Sequence, residues 1–260
     1  QLTYIRPERK LGDLTLGVQG TFEMRNLQIN EDVSPVRARY LDVSAPDRAG
    51  ALFAQQEWFL SRHLKAYLGL RLDSSRNYGN HIAPRLALVY QPSDKTSYKL
   101  VYGRPFRNPS AFERYYDDNG LYYAANPGLR SETAQAIEGS VERKFGPNLA
   151  GLVNAYRYDL DNVIQSNWAS EQVITYENSG GRRSTGVEFE LRGSPNHWFE
   201  LMGSYTVQRA ARKGTGRHLA NSPGQIGKAR LAVPLARRRA YFSVGMQYLS
   251  RRDTIGGETT

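Results

Sequence analysis

The sequence predicts an all-β protein, an antiparallel up-and-down β-barrel that crosses a membrane with its strands. Three observations predict it. Segments of ten or more residues repeat with one apolar and one polar face, and tight turns alternate with long polar connections between them. No apolar run reaches the ~18 residues that a membrane-spanning helix needs. Nothing divides the chain by linker or composition, so residues 1–260 are expected to form part of one barrel domain.

The first long strand shows the pattern most clearly. From Leu14 to Arg25 the even positions are apolar or glycine and the odd positions are polar except for Gly17, so period two holds for twelve residues. A membrane-crossing strand needs about 9–11 residues. Because the chain offers no further apolar elements to cover such stripes, we expect the apolar faces to contact lipid and the polar faces to line a wet lumen.

The same alternation continues to the other end of the chain. It predicts 12 to 13 strands, near residues 1–5, 13–26, 49–60, 63–74, 83–91, 95–106, 132–144, 148–160, 171–178, 183–193, 197–209, 225–235 and 239–250. Long connections fall near residues 27–48, 74–83, 107–130, 161–182 and 209–224. They alternate with tight turns, which is typical of short periplasmic turns and long extracellular loops.

Composition limits the function classes. The chain has no Cys, which excludes disulfides and thiolate metal sites, and we expect neither a metal site nor a cofactor. The net charge of +10 suggests an anionic partner, but the basic residues are interleaved with 25 acids and form no basic helix. We therefore expect no nucleic-acid partner, and assign the basic turns to solvent and to anionic lipid headgroups.

Two blocks flank the tyrosine-rich segment between residues 103 and 133. The first is Phe106-Arg107-Asn108-Pro109, and the second runs from Asn126-Pro127-Gly128-Leu129 to Glu132-Thr133. A third block, Gly186-Val187-Glu188, follows later. Together with matching segments in the same order over residues 49–250, they resemble the barrel wall of TonB-dependent outer-membrane receptors.

This resemblance implies a barrel of about 22 strands in the outer membrane of a Gram-negative cell, filled by a separate plug through which the TonB complex drives uptake. The cargo it implies is a bulky, scarce ligand, most simply a ferric siderophore or similar iron complex. Cobalamin, haem and glycans remain alternatives. The chain has no signal peptide or plug segment and ends without the aromatic residue that closes such barrels, so we expect it to be about half of the wall.

The segment between the first two blocks supplies the candidate ligand-binding residues: Arg107, Tyr115, Tyr116, Tyr122 and Tyr123. Tyrosine rings stack on planar or catecholate ligands, but an interfacial girdle or simple loop shaping explains them too. Residues 108–125 contain no His, whereas haem receptors of the family carry one there, which disfavours haem.

A basic loop near residues 209–218 attracts either an anionic siderophore or lipopolysaccharide phosphates through Arg209, Arg212, Lys213 and Arg217. The sequence does not separate the two.

Two other function classes, a barrel hydrolase and a passive porin, are alternatives to a receptor. A barrel hydrolase needs a Ser or Asp with a positioned His, and Ser222 and His218 are only close in sequence, so no enzyme is expected. A passive porin shares the strand length and alternation and is the main alternative. The long loops and the ordered family blocks argue against it.

Overall fold

The computed structural model describes residues 1–8, 12–195, 198–235 and 239–254. The last six residues, on which the expectation about a closing aromatic rests, lie outside the described residues. In chain order the elements are β1 (Leu2–Glu8), β2 (Gly12–Glu23), β3 (Leu27–Asp32), β4 (Ala38–Ser44), β5 (Asp47–Phe59), β6 (Leu64–Ser75), β7 (Gly79–Ser93), β8 (Thr96–Gly103), β9 (Phe106–Arg107), α1 (Ala111–Tyr115), β10 (Tyr123–Ala124), β11 (Glu132–Gly146), β12 (Leu149–Asp161), β13 (Val163–Trp168), β14 (Ile174–Ser179), β15 (Arg182–Gly193), β16 (Glu200–Arg212), β17 (Gln225–Leu235) and β18 (Ala240–Leu249). Among these residues no helix has the length and apolarity to cross a bilayer.

One antiparallel sheet of 13 strands forms the wall. Twelve strands follow in the order β1-β2-β5-β6-β7-β8-β11-β12-β15-β16-β17-β18, and β9 adds to β11. Along this order every strand between β1 and β18 pairs with the one before and the one after it, whereas β1 and β18 have one partner each among the described residues. This is the up-and-down antiparallel topology that the sequence predicts.

Strand register sorts the side chains onto two faces. Val18 lies opposite Leu52, Leu52 opposite Leu72, and Leu72 opposite Ile82, and all four are exposed. One residue further along, the opposite face carries Gln19 and Asp73, which Arg71 joins through Nη2 to Gln19 Oε1 (3.2 Å) and through an ion pair to Asp73. The sheet thus has an exposed apolar face, called here the outer face, and a polar inner face.

One predicted wall strand belongs elsewhere. Residues 171–178 overlap β14, which pairs antiparallel with β13 and parallel with β10 in a separate three-stranded sheet. The wall continues without this hairpin, because β12 pairs directly with β15. The long connection near residues 27–48 likewise contains the hairpin β3–β4. Period two is the same in a loop hairpin as in a wall strand, so alternation alone does not distinguish them.

Connection length differs between the two ends of the wall. Turns at one end are short, such as residues 94–95 and 147–148. The other end, called here the loop end, carries the hairpin β3–β4, the segment 104–131 with α1, and the hairpin β13–β14. The conspicuous candidate residues all lie at this end.

Candidate ligand-binding site at the loop end

The first family block joins the wall to the loop above it. Pro105 has no N–H to donate, so the ladder pauses between β8 and β9, while its carbonyl oxygen accepts a hydrogen bond from Ala134 N (2.9 Å). Phe106 then stacks on the ring of His81 with 4.2 Å between centroids. His81 Nε2 lies 3.0 Å from Ser131 Oγ, at the start of the next strand.

Arg107 is held between two carboxylates. Its Nε donates to Glu132 Oε2 (2.7 Å), and its two terminal nitrogens donate to Glu113 Oε2 (2.9 Å) and Oε1 (3.1 Å). These hydrogen bonds, first to Glu132 and then to Glu113, raise the pKa of Arg107. Charge-assisted, partly bidentate pairs of this kind fix geometry as well as charge. Arg107 therefore fastens α1 to the first residue of β11.

The helix α1 is set by a capping box. Ser110 Oγ accepts from Glu113 N (3.2 Å), and Glu113 Oε2 accepts from Ser110 N (2.7 Å). Desolvation opposes ionisation of Glu113, but the hydrogen bonds from Arg107 and Ser110 outweigh it and lower its pKa. One carboxylate thus caps the helix and pairs with Arg107 at once.

Four rings from the loops pack together above the wall. Phe112 lies 4.5 Å from Tyr116, 6.2 Å from Tyr123 and 6.0 Å from Tyr176, measured between ring centroids. Asn30 of β3 donates its Nδ2 to the Tyr116 hydroxyl (2.5 Å). Burial raises the pKa of Tyr116 and of Tyr176, so both phenols are neutral at pH 7. This ring cluster unites the hairpin β3–β4, α1 and the hairpin β13–β14.

The acidic residues beside the tyrosines accept hydrogen bonds from backbone N–H groups. Asp118 is buried and accepts from Tyr122 N (2.9 Å) and Tyr123 N (2.8 Å), while Asp117 accepts from Asn119 N (2.7 Å) and Ala125 N (3.2 Å). Desolvation opposes ionisation of Asp118, but backbone N–H donors, led by that of Tyr123, lower its pKa. The two carboxylates therefore hold the turn that presents the tyrosines.

The second family block clamps the neighbouring hairpin. Asn126 bonds its own turn by accepting from Gly128 N (3.1 Å), and it donates Nδ2 to Tyr176 O (2.8 Å). Leu129 is buried. Glu132, besides holding Arg107, accepts from Ile164 N (2.6 Å).

Of the remaining signature residues, Pro127 lies in the loop, and Thr133, Gly186, Val187 and Glu188 lie in the wall. Thr133 lies opposite Phe106, which continues the sheet from β9 into β11. Pro127 contributes its carbonyl oxygen to Arg114 Nε (2.8 Å). Gly186 faces Tyr156, whose hydroxyl donates to Gln208 Oε1 (2.9 Å), so Glu188 shares this inner face and Val187 lies on the outer one.

The five candidate ligand residues do not converge on one pocket. Tyr116 and Tyr123 belong to the ring cluster, and Arg107 is engaged by its two carboxylates, although about half of its side chain is exposed (47%). Tyr115 stacks with the Arg114 guanidinium at 5.5 Å. Tyr122, at 60% exposure, presents its ring to the outside.

A second cluster, only partly foreseen from the sequence, lines a cavity of about 820 Å³ at the same end. Arg182 of β15 and Arg212 of β16 lie directly opposite one another on the inner face. Arg182 donates Nη2 to Gln165 Oε1, and Trp168, Arg217 and His218 line the same cavity. Like charges placed directly opposite each other in a sheet are destabilising. The cavity is therefore a site suited to a bulky anion.

Sequence reasoning named Arg212 and Arg217 but missed Arg182 and Trp168. The doublet Arg182-Arg183 was visible as a basic turn. Which of its members faces inward depends on the register of β15 against β16.

Three comparisons with known proteins bear on this architecture. A family model described as "TonB dependent receptor-like, beta-barrel" matches residues 5–260. Among curated proteins, the iron-regulated outer membrane virulence proteins of two Vibrio cholerae serotype O1 strains are 26% identical over 238 residues. The match covers 84% of this chain but 36% of theirs, so the chain spans about a third of the length of these relatives.

Solved structures share the fold at low identity. A mutant of the ferric enterobactin receptor from Pseudomonas aeruginosa superposes with a TM-score of 0.75 at 18% identity, covering 97% of this chain and 41% of that one. The siderophore receptor PirA from Acinetobacter baumannii gives 0.73 at 14% identity, with coverages of 96% and 41%. The ferric-catecholate import receptor Fiu from Escherichia coli K12 gives 0.70 at 17%, with coverages of 96% and 43%.

Proposed function

Because this chain belongs to the TonB-dependent receptor-like β-barrel family, we propose that it forms part of the wall of a receptor that imports a bulky, anionic iron chelate of the ferric siderophore class. Uptake would draw its energy from the TonB complex, acting through the plug of the intact receptor. The relatives are named as iron-regulated outer membrane proteins, and the solved structures include receptors for ferric enterobactin and other siderophores.

Three of the sequence-based expectations are confirmed by family membership. The protein is located in the outer membrane, its sheet is a receptor barrel wall, and it belongs with receptors and transporters rather than with enzymes. The passive porin is not favoured, because the matched family is one of receptors.

The cavity at the loop end carries the proposal. Arg182 and Arg212 place two guanidinium groups side by side on the inner face, where a cargo entering the barrel must pass. Guanidinium groups bind oxyanions with paired, charge-assisted hydrogen bonds. Trp168 adds an indole for an aromatic chelating group. A volume of about 820 Å³ is within the range of sites that enclose a large small molecule.

The tyrosine-rich segment has a supporting part in this proposal. Tyr122, whose ring is exposed, makes a direct contact with the ligand, and Tyr115 stacks on the Arg114 guanidinium. Tyr116 and Tyr123 act through the ring cluster by holding the loops in place. Arg107 fixes α1 to the start of β11 through Glu113 and Glu132, and so acts by positioning the loop.

The test is the double variant Arg182→Gln/Arg212→Gln in the intact receptor. A ferric tris-catecholate is the probe for binding, and uptake of radiolabelled iron is measured in cells. We expect affinity to fall by about 100-fold, because two hydrogen bonds to a charged ligand are weakened at roughly 1.5 kcal/mol each. Arg192→Gln/Arg230→Gln removes the same two charges from the inner face, away from the loop end, because both residues lie opposite Met202; it is the matched control and leaves binding unchanged.

Unchanged affinity of the double variant for the ferric tris-catecholate would contradict the proposal. Cobalamin and haem serve as comparison probes. Tight binding of either one, with no binding of the ferric chelate, would assign the receptor to another cargo.

A further inference from the structure

The register that turns Arg182 toward the inner face turns Arg183 toward the outer one. On the outer face near the loop end lie four basic residues, called here the outer basic patch: Arg157 of β12, Arg183 of β15, Arg209 of β16, and Lys213, which directly follows β16. Arg157 and Arg209 both lie opposite Thr185, so three adjacent strands contribute to one patch. The inner cavity and the outer basic patch therefore occupy opposite faces of the same strands.

The outer basic patch begins where the apolar face ends. Val187 lies opposite Ala155 on one side and Val207 on the other, and Phe189 lies opposite Val153. Val153, Phe189 and Val207 are all more than 40% exposed. Arg209 follows Val207 by two residues, about 7 Å along a strand. The guanidinium groups thus stand just beyond the apolar band, on the side of the long loops.

A shared carboxylate holds the outer basic patch in shape. Asp159 Oδ2 pairs with Arg157 Nε (2.7 Å), its Oδ1 pairs with Arg183 Nε (2.7 Å), and Lys213 Nζ lies 3.5 Å from Oδ1. Lys213 Nζ also pairs with Asp161 Oδ1 (2.9 Å). The Asp159 side chain is only 14% exposed, whereas those of Arg157 and Arg183 are 50% and 47% exposed. Four cations and two carboxylates leave a net charge of +2.

We propose that the outer basic patch binds the phosphate groups of the phosphorylated glycolipid of the outer leaflet, the lipid A part of lipopolysaccharide. Long loops mark the external side of an outer-membrane barrel, so this patch borders the outer leaflet. Arginine binds phosphate with paired, charge-assisted hydrogen bonds. The acyl chains of the same molecule lie on Val187, Phe189 and Val207, directly below.

This surface fits an amphiphile better than a soluble anion. A free chelate or a free phosphate would use the cations but gain nothing from the apolar band beneath them. A lipid that carries phosphate at the junction of headgroup and acyl chains uses both. The inference rests on the outer-membrane location and does not depend on which cargo the receptor imports.

The experiment compares lipid A binding to the purified intact receptor in detergent by native mass spectrometry. The probes are lipid A with both phosphates and the same lipid after enzymatic removal of both. We expect the receptor to retain the phosphorylated form, and the variant Arg157→Gln/Arg183→Gln/Arg209→Gln to bind it about ten-fold more weakly, because up to three charge-assisted contacts are replaced by neutral ones. Lys213 still pairs with Asp159 and Asp161 in this variant, and the net charge of the outer basic patch falls from +2 to −1.

Arg182→Gln/Arg212→Gln is the matched control, since it removes arginines from the same strands on the other face. It should bind phosphorylated lipid A as the unmodified receptor does. The variant Arg157→Lys/Arg183→Lys/Arg209→Lys keeps the charge and should retain most of the binding, which separates a loss of charge from a loss of fold.

Three results would overturn the proposal. The first is equal retention of phosphorylated and dephosphorylated lipid A by the unmodified receptor. The second is an equal loss of lipid A in the control of the inner face. The third is full displacement of lipid A by millimolar inorganic phosphate, which would assign the outer basic patch to a free anion. The control Arg182→Gln/Arg212→Gln is expected to lose affinity for the ferric chelate, and that loss does not affect lipid A binding. The proposed function and the lipid A site can therefore fail independently of each other.

Discussion

Steric contact explains why position 186 of the Gly186-Val187-Glu188 block is a glycine. A Cβ built at this position would lie 2.6 Å from the Tyr156 hydroxyl oxygen and 2.9 Å from Val207 O. The backbone oxygen has little room to move, so the Tyr156 ring must give way. The absence of a side chain at Gly186 is what allows Tyr156 to cross over β15 and reach Gln208 of β16 (2.9 Å).

We therefore expect Gly186→Ala to destabilise the wall by about 1–3 kcal/mol, the usual cost of overpacking. The measurement is the midpoint of the heat-induced shift in electrophoretic mobility of the intact receptor. Gly139→Ala is the control, because the Cβ it adds meets nothing closer than Leu100 Cδ1 at 4.0 Å. Equal midpoints for the two variants would show that the close approach of Tyr156 is not what requires a glycine here.

The Arg182-Arg183 doublet shows what the sequence leaves open at the scale of single residues. Both residues read as part of one basic turn, but they lie on opposite faces of β15, one toward the cavity and one toward Asp159. Only the register against β12 and β16 decides which is which. A slip of one residue would exchange them.

Among the elements, the sequence predicts the wall strands but does not distinguish the loop hairpins from them. Strands such as β2 and β6 carry an alternation of ten or more residues that a soluble protein seldom sustains, and the structure confirms both. The strand predicted at residues 171–178 belongs to the loop hairpin β13–β14 instead. A loop hairpin shows the same alternation as a wall strand, so the pattern alone does not tell them apart. The helix α1 had a signal, since Ser110 and Glu113 have the spacing of a capping box.

Asn178 is one of the side chains that fasten the hairpin β13–β14 to the second family block. Asn178 Oδ1 accepts from Arg130 N (2.8 Å), and its Nδ2 donates to Arg130 O (2.8 Å) and Asn162 O (2.9 Å). This amide therefore satisfies backbone groups in two separate loop segments. Its removal should loosen the hairpin while leaving the wall ladder between β12 and β15 intact.

We expect Asn178→Ala to raise the rate of proteolytic cleavage within residues 162–181 of the intact receptor by about ten-fold or more, since each lost hydrogen bond contributes roughly 0.5–1.5 kcal/mol to closure. Limited proteolysis followed by mass spectrometry locates the cut. Asn167→Ala serves as the control, because among the described residues the Asn167 side chain bonds only within the hairpin, to Glu177 Oε1 (2.7 Å). Equal cleavage of both variants would place the clamp elsewhere.

For the molecule as a whole, the wall sorts its charges by face. The outer face is apolar until it meets the outer basic patch near the loop end, and the inner face is polar along its length and gathers arginines at the cavity. One side of the sheet thus fits lipid and its headgroups, and the other agrees with the proposed passage for an anionic cargo. The net charge of +10 reflects in part these two separate groups rather than a single basic surface.

The two edge strands of the sheet, β1 and β18, determine how residues 1–260 should behave when expressed alone. Within the described residues, β1 pairs only with β2 and β18 only with β17, so each presents a row of backbone donors and acceptors along its other edge. Unpaired edges of this length are templates for pairing with other chains, and in a bilayer an unsatisfied backbone group costs several kcal/mol. We expect residues 1–260, expressed alone and refolded in detergent, to elute from size-exclusion chromatography as large oligomers. The intact receptor in the same detergent is the control and should elute as a monomer, because the further strands implied by the family close its sheet. A monodisperse, heat-cooperative monomer from residues 1–260 would contradict the requirement for further strands.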